Sequence, residues 1–189
     1  MRLDIQNFNI DFISAGTQKW MLGLQGSGFI YVSKKLQEEI KPKYVGWLAV
    51  KNALDFLNYK LELKESADAL QGGTLNSLGI YALNTSLKIF EEFGHENVEK
   101  RILENTTYCL TELDKIGINT VLKGIERDNL AGIVSFKHNQ ALRIFEELKK
   151  NNIDCSVREG MIRLSPHFYN TSRDIDKVIS TIKNIVGRL

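Results

Sequence analysis

From His95 onward the apolar spacing switches repeatedly between the helical and the extended period, and few folds accommodate that alternation. Val98, Ile102, Thr106, Cys109, Leu110 and Leu113 form one helical stripe over 95–116, with Gly94 before it and Gly117 after it. Short extended runs are expected at 118–122 and 132–136. Ala141, Ile144, Phe145 and Leu148 mark a second helix. Strands at 153–157 and 161–165 are joined by the turn Arg158-Glu159-Gly160. Ile175, Val178, Ile179, Ile182, Ile185 and Val186 then make a last helical stripe, and Thr171 with Asp174 three residues on reads as its capped start. Helices alternating with short strands predict a compact α/β sandwich, helices against one sheet.

The first half is less regular. Residues 9–15 read as a short buried strand with Ile10, Phe12 and Ile13 inside, and 28–33 (GFIYVS) as a second strand rich in aromatic and β-branched residues. A short helix over 34–40 must stop before Pro42. Residues 44–64 carry Trp47, Phe56 and Tyr59 without a clean period and read as a surface-crossing segment. Residues 75–93 form a helix whose apolar residues Leu78, Ala82, Leu83, Leu87, Ile89 and Phe90 spread widely enough to predict burial on more than one side.

Charge excludes some partners. The 189 residues hold 25 basic against 23 acidic side chains, interspersed, so no footprint for nucleic acid or an anionic membrane is expected. No apolar run approaches the ~20 residues of a membrane span, and MRLDIQNFNIDF lacks the apolar core of a leader. Cys109 and Cys155 give neither a disulfide framework nor metal-ligand spacing, so a cytoplasmic protein is expected. His95, His138 and His167 do not cluster, and no metal site is expected.

The segment SAGTQKWMLGLQGSGFIYV sets Lys19 among apolar and glycine residues. One reading has the ammonium reaching water while its stem packs. The other has the site strip solvent from the amine, leaving a neutral nucleophile suited to an aldehyde. The glycines Gly23, Gly26 and Gly28 resemble a phosphate loop in composition, and a nucleotide-binding α/β module is one reading. Their order argues against it, because such a loop follows a strand and opens a helix, whereas these precede a strand.

Three ordered segments carry a family resemblance. SAGTQKW with its following glycines resembles the lysine segment of class V aminotransferases, fold-type I enzymes that use pyridoxal 5′-phosphate (PLP) and include the cysteine desulfurases. Gly73-Thr74 in QGGTLNSLGIYAL is similar to the family's Gly-Thr turn, and IRLSPHFYNTSRDID to its C-terminal signature. The matches run from residue 11 to about 176. The resemblance implies an α/β fold: residues 1–94 as the C-terminal part of a cofactor-binding large domain, and 95–189 as a small C-terminal α/β domain.

It also implies site roles. Lys19 would hold the cofactor as a Schiff base, with Asp11 in the place of the family's aspartate before the strand. Gln18 stands where many members have histidine and would contact the cofactor. Gly73 and Thr74 would bind its phosphate, the threonine reaching the neighbouring subunit's site in a homodimer. Arg163 would grip the substrate α-carboxylate, and Arg158 is a weaker second contact. Strand alternation alone favours reading Arg163 as an exposed arginine on a half-polar face, and Thr74 reads equally as a plain helix N-cap. Tyr169-Asn170-Thr171 reads as a turn feeding a helix cap, and Cys155 as a small core residue rather than the nucleophile of a desulfurase.

Family members are about twice as long, and the resemblance places the missing part upstream. The expected function is a class V aminotransferase acting on a small amino acid/keto acid pair, present as a C-terminal portion, with a separate N-terminal half as a further partner. The alternatives are a non-catalytic remnant and a desulfurase- or lyase-type PLP enzyme.

Overall fold

A computed structural model describes residues 3–58 and 60–187 of the chain. Tyr59, expected in the surface-crossing segment, lies outside the described residues. The chain forms two compact units, one spanning Leu3–Glu92 and one beginning at Phe93.

In the first unit, β1 (Phe12–Gly16) pairs antiparallel with β2 (Gly28–Val32), from Phe12 opposite Val32 to Gly16 opposite Gly28. The first strand begins later than the spacing suggests. Asp4 accepts from the Gln6 and Asn7 amides, winding 4–9 into a turn that ends with Asn9 at a φ of 49°. Neither strand is a buried core element: Phe12 is 51% exposed and Ile30 43%. A two-stranded ribbon has only two rows of side chains per face and cannot bury both faces by itself.

The chain then enters α1 (Lys34–Glu39), capped by the Ser33 hydroxyl, which accepts from the Leu36 amide and donates to Asp11 at 2.6 Å. As expected, it stops short of Pro42. Residues 44–64 carry a 3₁₀ turn at Trp47–Ala49 and one isolated bridge, Val50 to Leu63. A longer helix, α2 (Ser77–Phe93), follows. Its broad apolar surface is not buried as the spacing suggests. Leu78 is 77% and Tyr81 73% exposed, while Gly79 and Ser86 are buried. The residues buried outright are small, because there the helix meets a backbone loop, while Ala82, Leu83, Leu87 and Phe90 are half-buried.

The second unit is the two-layer α/β sandwich that the alternation predicts. Long α3 (His95–Lys115) runs between Gly94 and Gly117, both at positive φ. The sheet has the order β3 (Val134–Lys137), β5 (Met161–Leu164), β4 (Ser156–Arg158), all antiparallel. The expected strand at 118–122 reduces to one bridge, Thr120 to Phe136, because the chain turns at once, the Lys123 amide donating back to the Thr120 carbonyl. α4 (Ala141–Lys150) lies on β4 and β5, α3 on β3, and α5 (Ser172–Val186) packs against α3 and α4. Phe136, Leu113, Ile144, Leu148, Ile162, Ile182 and Val134 are fully buried between the layers.

Thr171 and Asp174 form a reciprocal cap at the start of α5. The Thr171 amide donates to the Asp174 carboxylate at 2.8 Å, and the Asp174 amide donates to the threonine hydroxyl. That backbone donation, ahead of a weaker opposing effect of burial, holds the Asp174 carboxyl below its ordinary value. A depressed carboxyl contributes stability that is fully present above about pH 4, the unfolded value, and lost as pH falls through the lower folded value. Replacing Thr171 with Ala is expected to cost about 1 kcal/mol in urea melts at pH 7. Asp174→Asn is expected to flatten the loss of stability expected of the native chain as pH falls below about 4.

Candidate functional site

Lys19 sits on the loop that joins β1 to β2, and the loop is tied at nearly every corner. The Thr17 carbonyl accepts from the Gly23 amide at 2.8 Å, and the Lys19 carbonyl from the Leu22 amide at 3.1 Å. Leu22 takes a φ of 56°, a conformation that a leucine adopts only when its surroundings impose it. Its carbonyl accepts from the Ser86 hydroxyl of α2 at 2.9 Å. At the far end, the Gly26 carbonyl accepts from the Asn76 side chain at 3.2 Å.

Lys19 and Gln18 themselves are exposed, and Trp20 and Met21 only half-buried. The apolar neighbours thus do not strip the amine of water within this unit. Among the described residues, Lys19 has no carboxylate at ion-pair distance. Gly23 and Gly28 serve close packing, a Cβ on Gly23 standing 2.6 Å from the Thr17 hydroxyl, while Gly26 serves the turn at a φ of 77°, and all three lead into β2 rather than a helix.

Gly73 and Thr74 lie just before α2, Gly73 half-buried against the Trp47 indole and Thr74 exposed. Thr74 is not the helix cap. Asn76 is: its side chain accepts from the Gly79 amide at 3.0 Å and its carbonyl from the Ile80 amide. The hydroxyl of Thr74 is left outside the helix, beside a terminus whose free amides favour an anion. Through Asn76, Gly79 and Ser86, the Lys19 loop and the helix that follows the Gly-Thr turn are joined within one unit.

The arginines belong to the other unit. Arg163 lies in the central strand β5, opposite Ser135 on one side and Ser156 on the other. Ile162 and Leu164 point into the core, so alternation puts Arg163 on the sheet face away from the helices, half-buried between two short hydroxyl side chains. Among the described residues no carboxylate pairs with it. Arg158 ends β4 opposite Met161 and is exposed, next to a two-residue turn in which Glu159 and Gly160 both have positive φ.

After β5 the chain forms a loop, 165–171, held by a residue that the sequence pattern did not single out. Asn105 of α3 is buried and donates to the carbonyls of His167 (2.9 Å) and Asn170 (3.0 Å). The Asn170 side chain closes the loop on the His167 amide, and the His167 and Tyr169 rings stack at 5.0 Å. Asn105 stands on the buried stripe of α3 where an apolar residue would do, and that is the one signal it leaves.

Burial raises both thiols. Cys109 is pushed up to about 12, and Cys155, half-buried just before β4, is raised by burial first and by Asp154 second. Among the described residues, no cluster of histidine, cysteine or carboxylate groups could hold a metal, and no helix is long and apolar enough to cross a membrane.

A family profile described as Aminotransferase class-V matches residues 1–178. An uncharacterized aminotransferase of Bacillus subtilis (strain 168) is 28% identical over 180 residues, 95% of this chain and 47% of its own length. A probable cysteine desulfurase of Mycoplasma genitalium is 31% identical over 203 residues, 98% of this chain and 48% of its own. The apo structure of a cysteine desulfurase from Thermococcus onnurineus NA1 superimposes with a TM-score of 0.86 at 18% identity, over 98% of this chain and 49% of that one. The chain spans about half the length of the curated relatives it matches.

Proposed function

This chain belongs to the class-V aminotransferase family, and we propose that it is the lysine-bearing portion of a PLP-dependent aminotransferase acting on a small amino acid/keto acid pair. One observation carries the reading: a loop pinned by hydrogen bonds on both sides of Lys19 leaves its amine exposed and, among the described residues, without an ion-pair partner.

The residues present fit the group. PLP, when bound, supplies an aldehyde for an amine and a ring that draws electrons from the substrate α-carbon. Lys19 Nζ would hold that aldehyde and would supply the base for the substrate α-proton. The Thr74 hydroxyl and the amides before α2 bind a phosphate, with the Gln18 carboxamide as a further donor. Arg163 receives the α-carboxylate through its planar fork, and Arg158 closes the same side. Residues 1–94 act as part of the cofactor domain and 95–189 as the substrate-binding small domain.

The exposed amine needs a cover before it works as a neutral nucleophile. We assign that cover to a second copy in a homodimer and to polypeptide matching the half of the relatives that this chain does not span. The two unpaired cysteines suit a reducing compartment such as the cytoplasm.

Cys155 argues against desulfuration. Cys155 is half-buried just before β4, and burial first and Asp154 second raise its thiol, the setting of a packed residue rather than of an activated nucleophile. With PLP and a panel of small amino acids, the protein together with that complementary polypeptide is expected to form the keto acid. With cysteine and a thiol reductant it is expected to release no sulfide. Sulfide release that Cys155→Ala abolishes would replace this reading with the desulfurase one. Neither product would leave the non-catalytic remnant.

A further inference from the structure

We propose that Thr17 is a positioning residue for Lys19, acting through a two-hydroxyl lock with Ser27 that closes the amine-bearing loop; this rests on the reading of Lys19 given above. Five of the described residues between Leu3 and Glu92 are buried: Thr17, Val32, Ala49, Gly79 and Ser86. Three of them, Thr17, Gly79 and Ser86, border the Lys19 loop, and none of the three is a large apolar side chain. The unit's burial is therefore concentrated on holding a loop, with polar contacts, two residues from the amine.

Two oxygens of Ser27 face the Thr17 hydroxyl, its hydroxyl and its carbonyl. The Ser27 hydroxyl donates to the Leu24 carbonyl at 2.8 Å, which uses its only proton. The Thr17 hydroxyl lies 2.6 Å from the Ser27 hydroxyl and 3.2 Å from the Ser27 carbonyl, so by either route its one proton is directed to Ser27. The Thr17 amide donates to the Ser27 carbonyl, and the Thr17 carbonyl accepts from Gly23, so every polar group of the fully buried Thr17 is engaged. The fit leaves little freedom. A Cβ on Gly23 would stand 2.6 Å from the Thr17 hydroxyl, and one on Gly79 would stand 2.6 Å from the Ser27 Cβ. Thr17 thereby fixes where the chain leaves β1, and Lys19 follows two residues later. Ser27 transmits the same restraint to α2.

The test compares the native chain, assembled with the complementary polypeptide, with Thr17→Ser, Thr17→Val and Ser27→Ala in the same assembly. Serine keeps the hydroxyl; valine keeps the shape and puts a methyl where the donation was. Two quantities are read: hydrogen exchange at the Gly23 amide, and the share of PLP fixed on Lys19 against all other lysines after borohydride reduction. Thr17→Val and Ser27→Ala are expected to speed exchange at Gly23 about tenfold or more and to cut the Lys19 share several-fold, with Thr17→Ser near native in both. Should Thr17→Val not fold, Ser27→Ala carries the comparison. Faster exchange with an unchanged Lys19 share would make Thr17 merely structural and overturn the proposal, as would valine-like behaviour of Thr17→Ser. If the native chain fixes no excess of PLP on Lys19, the functional reading fails. The exchange arm then decides the lock alone: acceleration rescued by serine supports it, and no acceleration overturns it.

Discussion

Arg163→Met is expected to weaken binding of an amino-acid substrate to the PLP-loaded protein by about 3 kcal/mol, on the order of 100-fold, while leaving the fold intact. The reason lies in where β5 places the residue. Its neighbours in sequence, Ile162 and Leu164, are buried in the core, and Arg163 stands on the opposite face between Ser135 and Ser156. Removing the guanidinium therefore opens no cavity between sheet and helices, and the change in stability should stay within about 1 kcal/mol. Arg163→Lys should recover only part of the affinity. An ammonium keeps the charge but offers no fork to meet both carboxylate oxygens. A spectral titration of the three proteins with one amino acid, beside their urea melts, checks both halves of the expectation. Equal affinities would remove Arg163 from the substrate site, and a collapse of stability would show that it serves the sheet.

The parts of the fold legible in the sequence are those decided by neighbours along the chain. The α5 cap could be read from Thr171 and Asp174 because both partners lie within one turn. The limits of α3 could be read from Gly94 and Gly117 for the same reason. Phe136, Ile144 and Ile162 could be placed in the core because their periods agree with their elements. The pattern misled where burial depends on what lies opposite. The apolar residues of α2 show that the helix could be covered on several sides, yet Leu78 and Tyr81 face solvent and Gly79 and Ser86 make the contact. The strand expected at 118–122 fails because pairing needs a partner of matching length, and only Thr120 finds one.

The site divides in the same way. Among the candidate residues, Lys19 stands out as a lysine set among apolar and glycine residues, whereas Gly73 and Arg163 are singled out by the family resemblance. Thr17, Ser27, Asn76 and Asn105 are ordinary polar residues whose importance comes from partners 10 to 65 positions away. No local period reveals such pairs. The apolar neighbours of Lys19 suggested a dry amine, but Trp20 and Met21 are themselves only half-buried. Dryness is a property of a closed site, and a hairpin with two open faces does not supply it.

The central claim is that one lysine of this chain is set apart for an aldehyde. Reduction of the native chain, assembled with the complementary polypeptide, with borohydride in the presence of PLP, followed by peptide mapping, tests it most directly, with Lys19→Ala as the control. The expected result is an adduct concentrated on residue 19 of the native chain. In the Lys19→Ala protein that adduct is lost, with no compensating rise at any one other lysine. Adducts spread over the surface lysines in proportion to their exposure, and unchanged in amount by Lys19→Ala, would contradict the account.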